Sequence, residues 1–179
     1  MNHMNRKLLS LVGALLAVAA FSGCSTAKPT AMVPTGFNLE QKHASSVSVA
    51  TAAGKAAEAP WTSQIRSSTF QEAVSLSLEK SGLFAAVLKT PESDYTLQVS
   101  FVKGDEPAFG FDMTVDLVTR WVLTKKSSNA TVFQGNVSTT YTATMGEGFA
   151  GGTRLRKANE GAARNNIQEG LRRLSQLKL

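Results

Sequence analysis

The chain of 179 residues has one cysteine, two histidines, 7% aromatic residues and 18% charged residues. A single cysteine excludes an internal disulfide and any metal centre built on several thiolates. The hydrophobic share of 42% is too high, and the charge too sparse, for a disordered polyelectrolyte. No apolar run reaches the ~20 residues of a membrane-spanning helix. At roughly 100–200 residues per domain there is room for one core and an appendage. Against these shortages stands one excess, a formal net charge of +6, which by itself points to an anionic partner.

The apolar run that does occur is short and follows a basic start. Arg6 and Lys7 precede Leu8 to Ala20, which is interrupted only by Ser10 and Gly13. A basic start with ~7–15 apolar residues is a secretory signal rather than a transmembrane helix. Phe21-Ser22-Gly23-Cys24 then closes the run. It resembles the bacterial lipobox, with Phe21 where that family usually has Leu. The resemblance implies cleavage before Cys24, lipidation of its thiol and acylation of its new N-terminus, with palmitate among the chains. Several acyl chains anchor stably where one does not. Ser25 replaces the aspartate that marks inner-membrane retention in that family, which implies the outer membrane, facing the periplasm.

Three regions follow: a signal peptide over 1–23, a lipidated cysteine with a flexible tether over 24–45, and a folded domain over 46–179. The tether is expected because its Ser, Thr, Ala and Pro content has no period. Met32, Val33, Phe37 and Leu39 are scattered, and Pro29 and Pro34 interrupt any helix. About 20 flexible residues would give a reach of roughly 25 Å.

Within the domain, Val47 and Val49 indicate a short strand. A helix is expected over 62–81, with Ile65, Phe70, Ala73, Val74 and Leu78 on one face. Thr62 or Ser63 can cap its start and Gly82 its end. Phe84 to Lys89 is apolar and strand-like. Strict alternation then marks a strand from Tyr95 to Phe101. A second has Phe111, Met113, Val115, Leu117, Trp121 and Leu123 inward, and a third has Phe133, Val137, Tyr141 and Ala143 inward. After the glycine-rich stretch 145–152 a last helix is expected from Thr153 almost to Leu179. Gly161 and Gly170 weaken it by about 1 kcal/mol each relative to alanine. The expectation is an α+β domain: an antiparallel sheet of about four strands, with two helices on one face in the order strand-helix-strand-strand-strand-helix.

The helix ending in Ser81-Gly82-Leu83-Phe84, the strand opening Asp94-Tyr95-Thr96-Leu97, the long hairpin and the terminal Ala/Arg/Leu helix together resemble small periplasmic lipoproteins. These are of the lipopolysaccharide-assembly (LptE-like) and ABC-transport auxiliary (PqiC-like) kind. The resemblance implies a non-enzymatic partner of an envelope complex and transfers no functional residue.

The sequence offers no catalytic set, metal site or cofactor motif. Its mature part would hold one histidine, His43, which falls in the expected tether. Asp112 and Asp116, four residues apart on a strand, would stand ~13 Å apart, farther than the ~5–9.5 Å of glycosidase carboxylates. Gly146-Glu147-Gly148 lacks the spacing of a phosphate-binding loop. Charge is the stronger signal. Without Arg6 and Lys7, 17 bases face 13 acids, and seven of those bases lie between Arg154 and Lys178. Arg154, Arg156, Lys157 and Arg164 are therefore the candidate contact with anionic lipid, lipopolysaccharide or an acidic partner. Nucleic acid is not expected of an exported chain without an aromatic platform. Three roles stay open: an accessory subunit of an envelope machine, a lipid- or glycan-binding module, and a tethered activator of a cell-wall enzyme.

Overall fold

The computed structural model describes residues 26–50, 59–90 and 92–179. The expected signal peptide and the lipidation expected at Cys24 fall outside the described residues. The elements are β1 (His43–Val49), α1 (Ser67–Ser81), β2 (Phe84–Leu88), β3 (Tyr95–Asp105), β4 (Met113–Lys125), β5 (Ala130–Ala143) and α2 (Gly151–Leu174). The strands form one sheet in the order β2-β1-β3-β4-β5. The α+β class and the two helices agree with the sequence reading, but the sheet is five-stranded and mixed.

β1 lies parallel to both its neighbours, β2 and β3, while β3, β4 and β5 form the antiparallel meander. The parallel pairing follows from connectivity. α1 carries the chain back across the sheet, so β2 enters it in the same direction as β1. Asp94 fixes this seam, because its carboxylate accepts from the Ser46 backbone N–H at 2.8 Å and the Ser46 hydroxyl at 2.7 Å. Those bonds hold the Asp94 carboxyl below its usual range.

α1 begins at Ser67 rather than Thr62. The Thr62 hydroxyl accepts from the backbone N–H of Ile65 at 3.1 Å, and Pro60 bridges to Arg66, which closes a turn ahead of the helix. Its end is as expected: Gly82 takes a left-handed φ of 59° and donates to the Leu78 carbonyl. α2 begins at Gly151, so Thr153 lies inside the helix and Ala150 holds the cap position. Phe111 precedes β4 and is exposed, so the inward row of that strand starts at Met113.

Both helices bury their apolar rows in one cluster with the inner sheet face, among them Phe70, Leu78, Leu97, Leu117, Trp121, Ile167 and Leu171. At its centre is a polar lock. The Thr119 hydroxyl donates to Asn166 Oδ1 at 2.6 Å and accepts from the Trp121 indole at 2.8 Å, while Asn166 Nδ2 donates to the Val137 carbonyl at 3.0 Å. Every partner is satisfied, so the hydrogen bonds offset the cost of burying these groups and the lock ties α2 to the sheet. The outer face of β4 and β5 presents Thr114, Asp116, Arg120, Asn136, Ser138 and Thr142.

The segment read as a tether is part of the fold. Ala27 is 4% exposed and Met32 fully buried, and the backbone N–H of Ala27 donates to the Gln64 carbonyl at 3.0 Å. Pro29–Met32 forms a 3-10 turn that packs on both helices. Farther on, the Glu40 N–H donates to the Ser175 hydroxyl at 3.0 Å, and Gln41 reaches the Leu177 carbonyl. The scattered apolar residues that looked too few for a helix instead fill the seam between two helices.

Candidate functional site

The four predicted anion contacts on α2 do not form one outward patch. Arg154 is only 6% exposed. Its Nη1 donates to the carbonyls of Gly148 at 2.8 Å and Phe149 at 2.6 Å, and its Nη2 to that of Gly110 at 3.2 Å. Arg156 pairs with Glu160 at 2.9 Å, one helical turn on. Arg164 donates twice to the Ala31 carbonyl, at 3.2 and 2.7 Å, and so holds the N-terminal segment down. Lys157 lies near Glu147 and helps lower its carboxyl, whose main partners are the Tyr141 hydroxyl and the Thr144 N–H. The same holds at the far end, where Glu169 takes bonds from Arg172 at 2.7 Å and Arg173 at 2.7 Å. Arg173 also donates to the Asn136 carbonyl at 2.7 Å, which covers part of the β5 edge. The excess of bases on α2 is thus largely internal bracing.

What Arg154 braces is the more informative feature. It joins the loop between β3 and β4 to the loop between β5 and α2, and those loops carry Phe109, Phe111 and Phe149, which are 88%, 79% and 91% exposed. Met145 adds further apolar surface nearby. Single exposed apolar residues are ordinary, but a rigid group of bare phenylalanines marks a contact surface. Sequence periodicity missed it because Phe111 fits the alternation of β4 and the other two rings lie in loops.

The start of the described chain lies at this same end. Thr26 and the backbone of Ala27 adjoin the turn at 60–66. In that turn the backbone and hydroxyl of Ser63 donate to the Glu106 carboxylate at 2.7 and 3.0 Å, and Asn159 of α2 donates to it at 2.6 Å. Glu106 follows the end of β3 and opens the loop bearing Phe109 and Phe111. Asp105 therefore acts as the ion-pair partner of Lys103, and Glu106 as this three-way brace.

A second surface feature is a groove of about 340 Å³ along the sheet edge at β2. Val49, Val87 and Leu88 form its floor, and Gln71, Glu72, Ser75 and Glu79 of α1 form its wall. Ala85 and Ala86 on β2 are exposed beside it. His43 lies elsewhere, buried against Phe84 with ring centroids 5.0 Å apart, and its Nε2 donates to the Leu174 carbonyl at 2.9 Å. Among the described residues no three His, Cys, Asp or Glu side chains are placed to hold a metal ion.

No protein-family model and no curated protein matches the chain.

Solved structures do. The fold is similar to protein XCC0632 from Xanthomonas campestris, of family DUF330, at 15% identity over 80% of this chain and 90% of that one, with a TM-score of 0.61. It is similar to the hypothetical protein CT253 from Chlamydia trachomatis at 10% identity over 74% and 96%, TM-score 0.50. A minor lipoprotein from Acinetobacter baumannii matches at 9% identity over 73% and 92%, TM-score 0.50. At these identities the likeness establishes the fold alone.

Proposed function

We propose that the chain is an outer-membrane lipoprotein facing the periplasm, anchored through Cys24, and that it serves as a non-enzymatic accessory subunit of an envelope transport or assembly complex. The observation that carries this reading is the entry of the chain into the fold at Ala27, three residues beyond the lipobox-like cysteine. Three extended residues span at most ~11 Å. An acylated Cys24 would hold the domain against the bilayer, and any partner docked on the domain would be held there with it. A minor lipoprotein among the structures of similar fold supports the same direction.

The surface suited to a protein partner is the β2 edge with its groove. The opposite edge, β5, is partly covered by Arg173 and by Asn165, which donates to the Thr140 carbonyl at 3.3 Å. Among the described residues no strand pairs with the outer side of β2, and such an edge beside a groove with an apolar floor admits an extended segment through main-chain hydrogen bonds, with the groove taking side chains. A tethered activator loses its physical basis, since the presumed tether is packed. A lipid carrier would need a cavity within the core, where Met32, Phe70 and Trp121 are packed without exposure.

The test is photo-crosslinking in intact cells from Ala86 on β2 and, as a comparison, from Ser138 on the outer sheet face. The proposal expects an envelope protein crosslinked from Ala86 and not from Ser138. Crosslinks only from Ser138, or a Cys24→Ser chain that fractionates with membranes as the parent does, would contradict it.

A further inference from the structure

We infer that Phe109, Phe111 and Phe149 form a bilayer-contacting tip, seated in the interfacial layer of the membrane that carries the anchor. The inference deepens the proposed function and rests on its reading of Cys24 as the lipidated residue. Three observations converge on it.

The first is rigidity. One buried guanidinium holds the backbones of Gly110, Gly148 and Phe149, so the rings on two separate loops are presented together. At Gly110 an added Cβ would stand 2.8 Å from the Asp112 carbonyl oxygen, so the loop fits only with glycine between its two phenylalanines. The ordering cost of these loops is therefore met by the fold before any membrane contact.

The second is position. Thr26 lies two residues from Cys24 and adjoins the turn at 60–66, which Glu106 ties to the loop bearing Phe109 and Phe111. From Ala27 onward the segment runs along α2 toward its far end, passing Ala31 at Arg164 and Glu40 at Ser175. The chain thus comes from the side of the tip. An anchor there and bare aromatic rings at the same end face one surface.

The third is charge. Around the tip, Lys103 pairs with Asp105, Arg156 with Glu160, and Glu147 accepts from Tyr141, while Arg154 is buried. Asp112 and Lys157 carry opposite signs. Such a rim offers no net attraction to phosphate, so apolar burial of the rings must dominate. The occupant is a lipid bilayer, whether zwitterionic or anionic.

The experiment uses the lipidated chain. Its Cys24 sulfur is already in a thioether, so a cysteine introduced by Phe149→Cys is the free thiol and takes an environment-sensitive fluorophore. Ser128→Cys, in the turn between β4 and β5 at the opposite end, is the comparison. Each labelled protein is reconstituted into phosphatidylcholine vesicles and into phosphatidylethanolamine–phosphatidylglycerol vesicles, with the lipid on Cys24 verified by mass. The inference expects emission at position 149 to shift to the blue and to be quenched by lipid-borne quenchers in both vesicle types, with position 128 unchanged. Emission at 149 matching that at 128 overturns the tip while leaving the anchor in place. A shift confined to the anionic vesicles overturns the apolar mechanism. An unmodified Cys24 overturns the anchor reading, and with it this placement.

Discussion

Gly170 of α2 lies against the indole of Trp121 so closely that an added Cβ would stand 2.6 Å from the ring Cε2. Gly161 stands in the same relation to Tyr141, whose Cδ2 would lie 2.7 Å away. These glycines, which weaken an isolated helix, let α2 approach β4 and β5. Gly170→Ala gains about 1 kcal/mol of helix propensity, but forcing a methyl into a filled core costs about 1–3 kcal/mol, more if the indole must move. The expected outcome is a lower midpoint in thermal denaturation for Gly170→Ala and Gly161→Ala. A raised midpoint would mean that the rings yield freely.

Thr119→Val keeps the shape of the side chain and removes the hydroxyl at the centre of the polar lock. The Trp121 N–H loses its acceptor and Asn166 Oδ1 its donor. A loss of about 1–3 kcal/mol in urea unfolding is expected for groups left unpaired at this depth. Pairing it with Asn166→Leu should give less than the sum of the single losses, because both act on the same lock.

Glu169 gives the fold an acid limit. The Arg172 side chain, aided by Arg173, holds its carboxyl down to about 2. The folded state therefore binds this proton less readily than the unfolded chain. The stabilisation is present above the ordinary carboxyl value and is lost as pH falls from about 4.5 toward 2. Solvent screening at this partly exposed site keeps it to roughly 1 kcal/mol. Glu169→Gln should flatten that part of the stability–pH curve, and an unchanged slope would show that other carboxylates set it.

Arg154→Lys preserves the charge but not the fork that reaches three carbonyls. Hydrogen exchange should rise in the loops at 107–112 and 146–150, while the amides of β4 hold their protection. Equal protection of both loops in the variant would mean that they are ordered without the guanidinium.

The meander and both helices were legible because each buries one face, which imposes a period on the sequence. The stop at Gly82 was legible for a local reason, its left-handed φ of 59°. Other features depended on contacts distant in sequence. The seam that seats β1 is fixed by Ser46 meeting Asp94, and the packing of Met32 depends on residues far downstream. Neither leaves a periodic trace. The basic helix misled for a related reason: counting charges registers Arg154 and Arg164 but not the carbonyls of Gly148 and Ala31 that occupy them. The phenylalanine tip left only three rings among glycines, where no period applies.

The central claim is that residues 27–43 pack as part of the domain rather than as a free leash ahead of it. Hydrogen–deuterium exchange on the full chain, followed over residues 27–43, tests it most directly. The Ala27 amide is bonded to Gln64, that of Glu40 to Ser175 and that of His43 to Leu83. These amides are expected to exchange slowly, alongside those of α2. Complete exchange within seconds across 27–43, with α2 still protected, would restore the flexible tether and contradict the account.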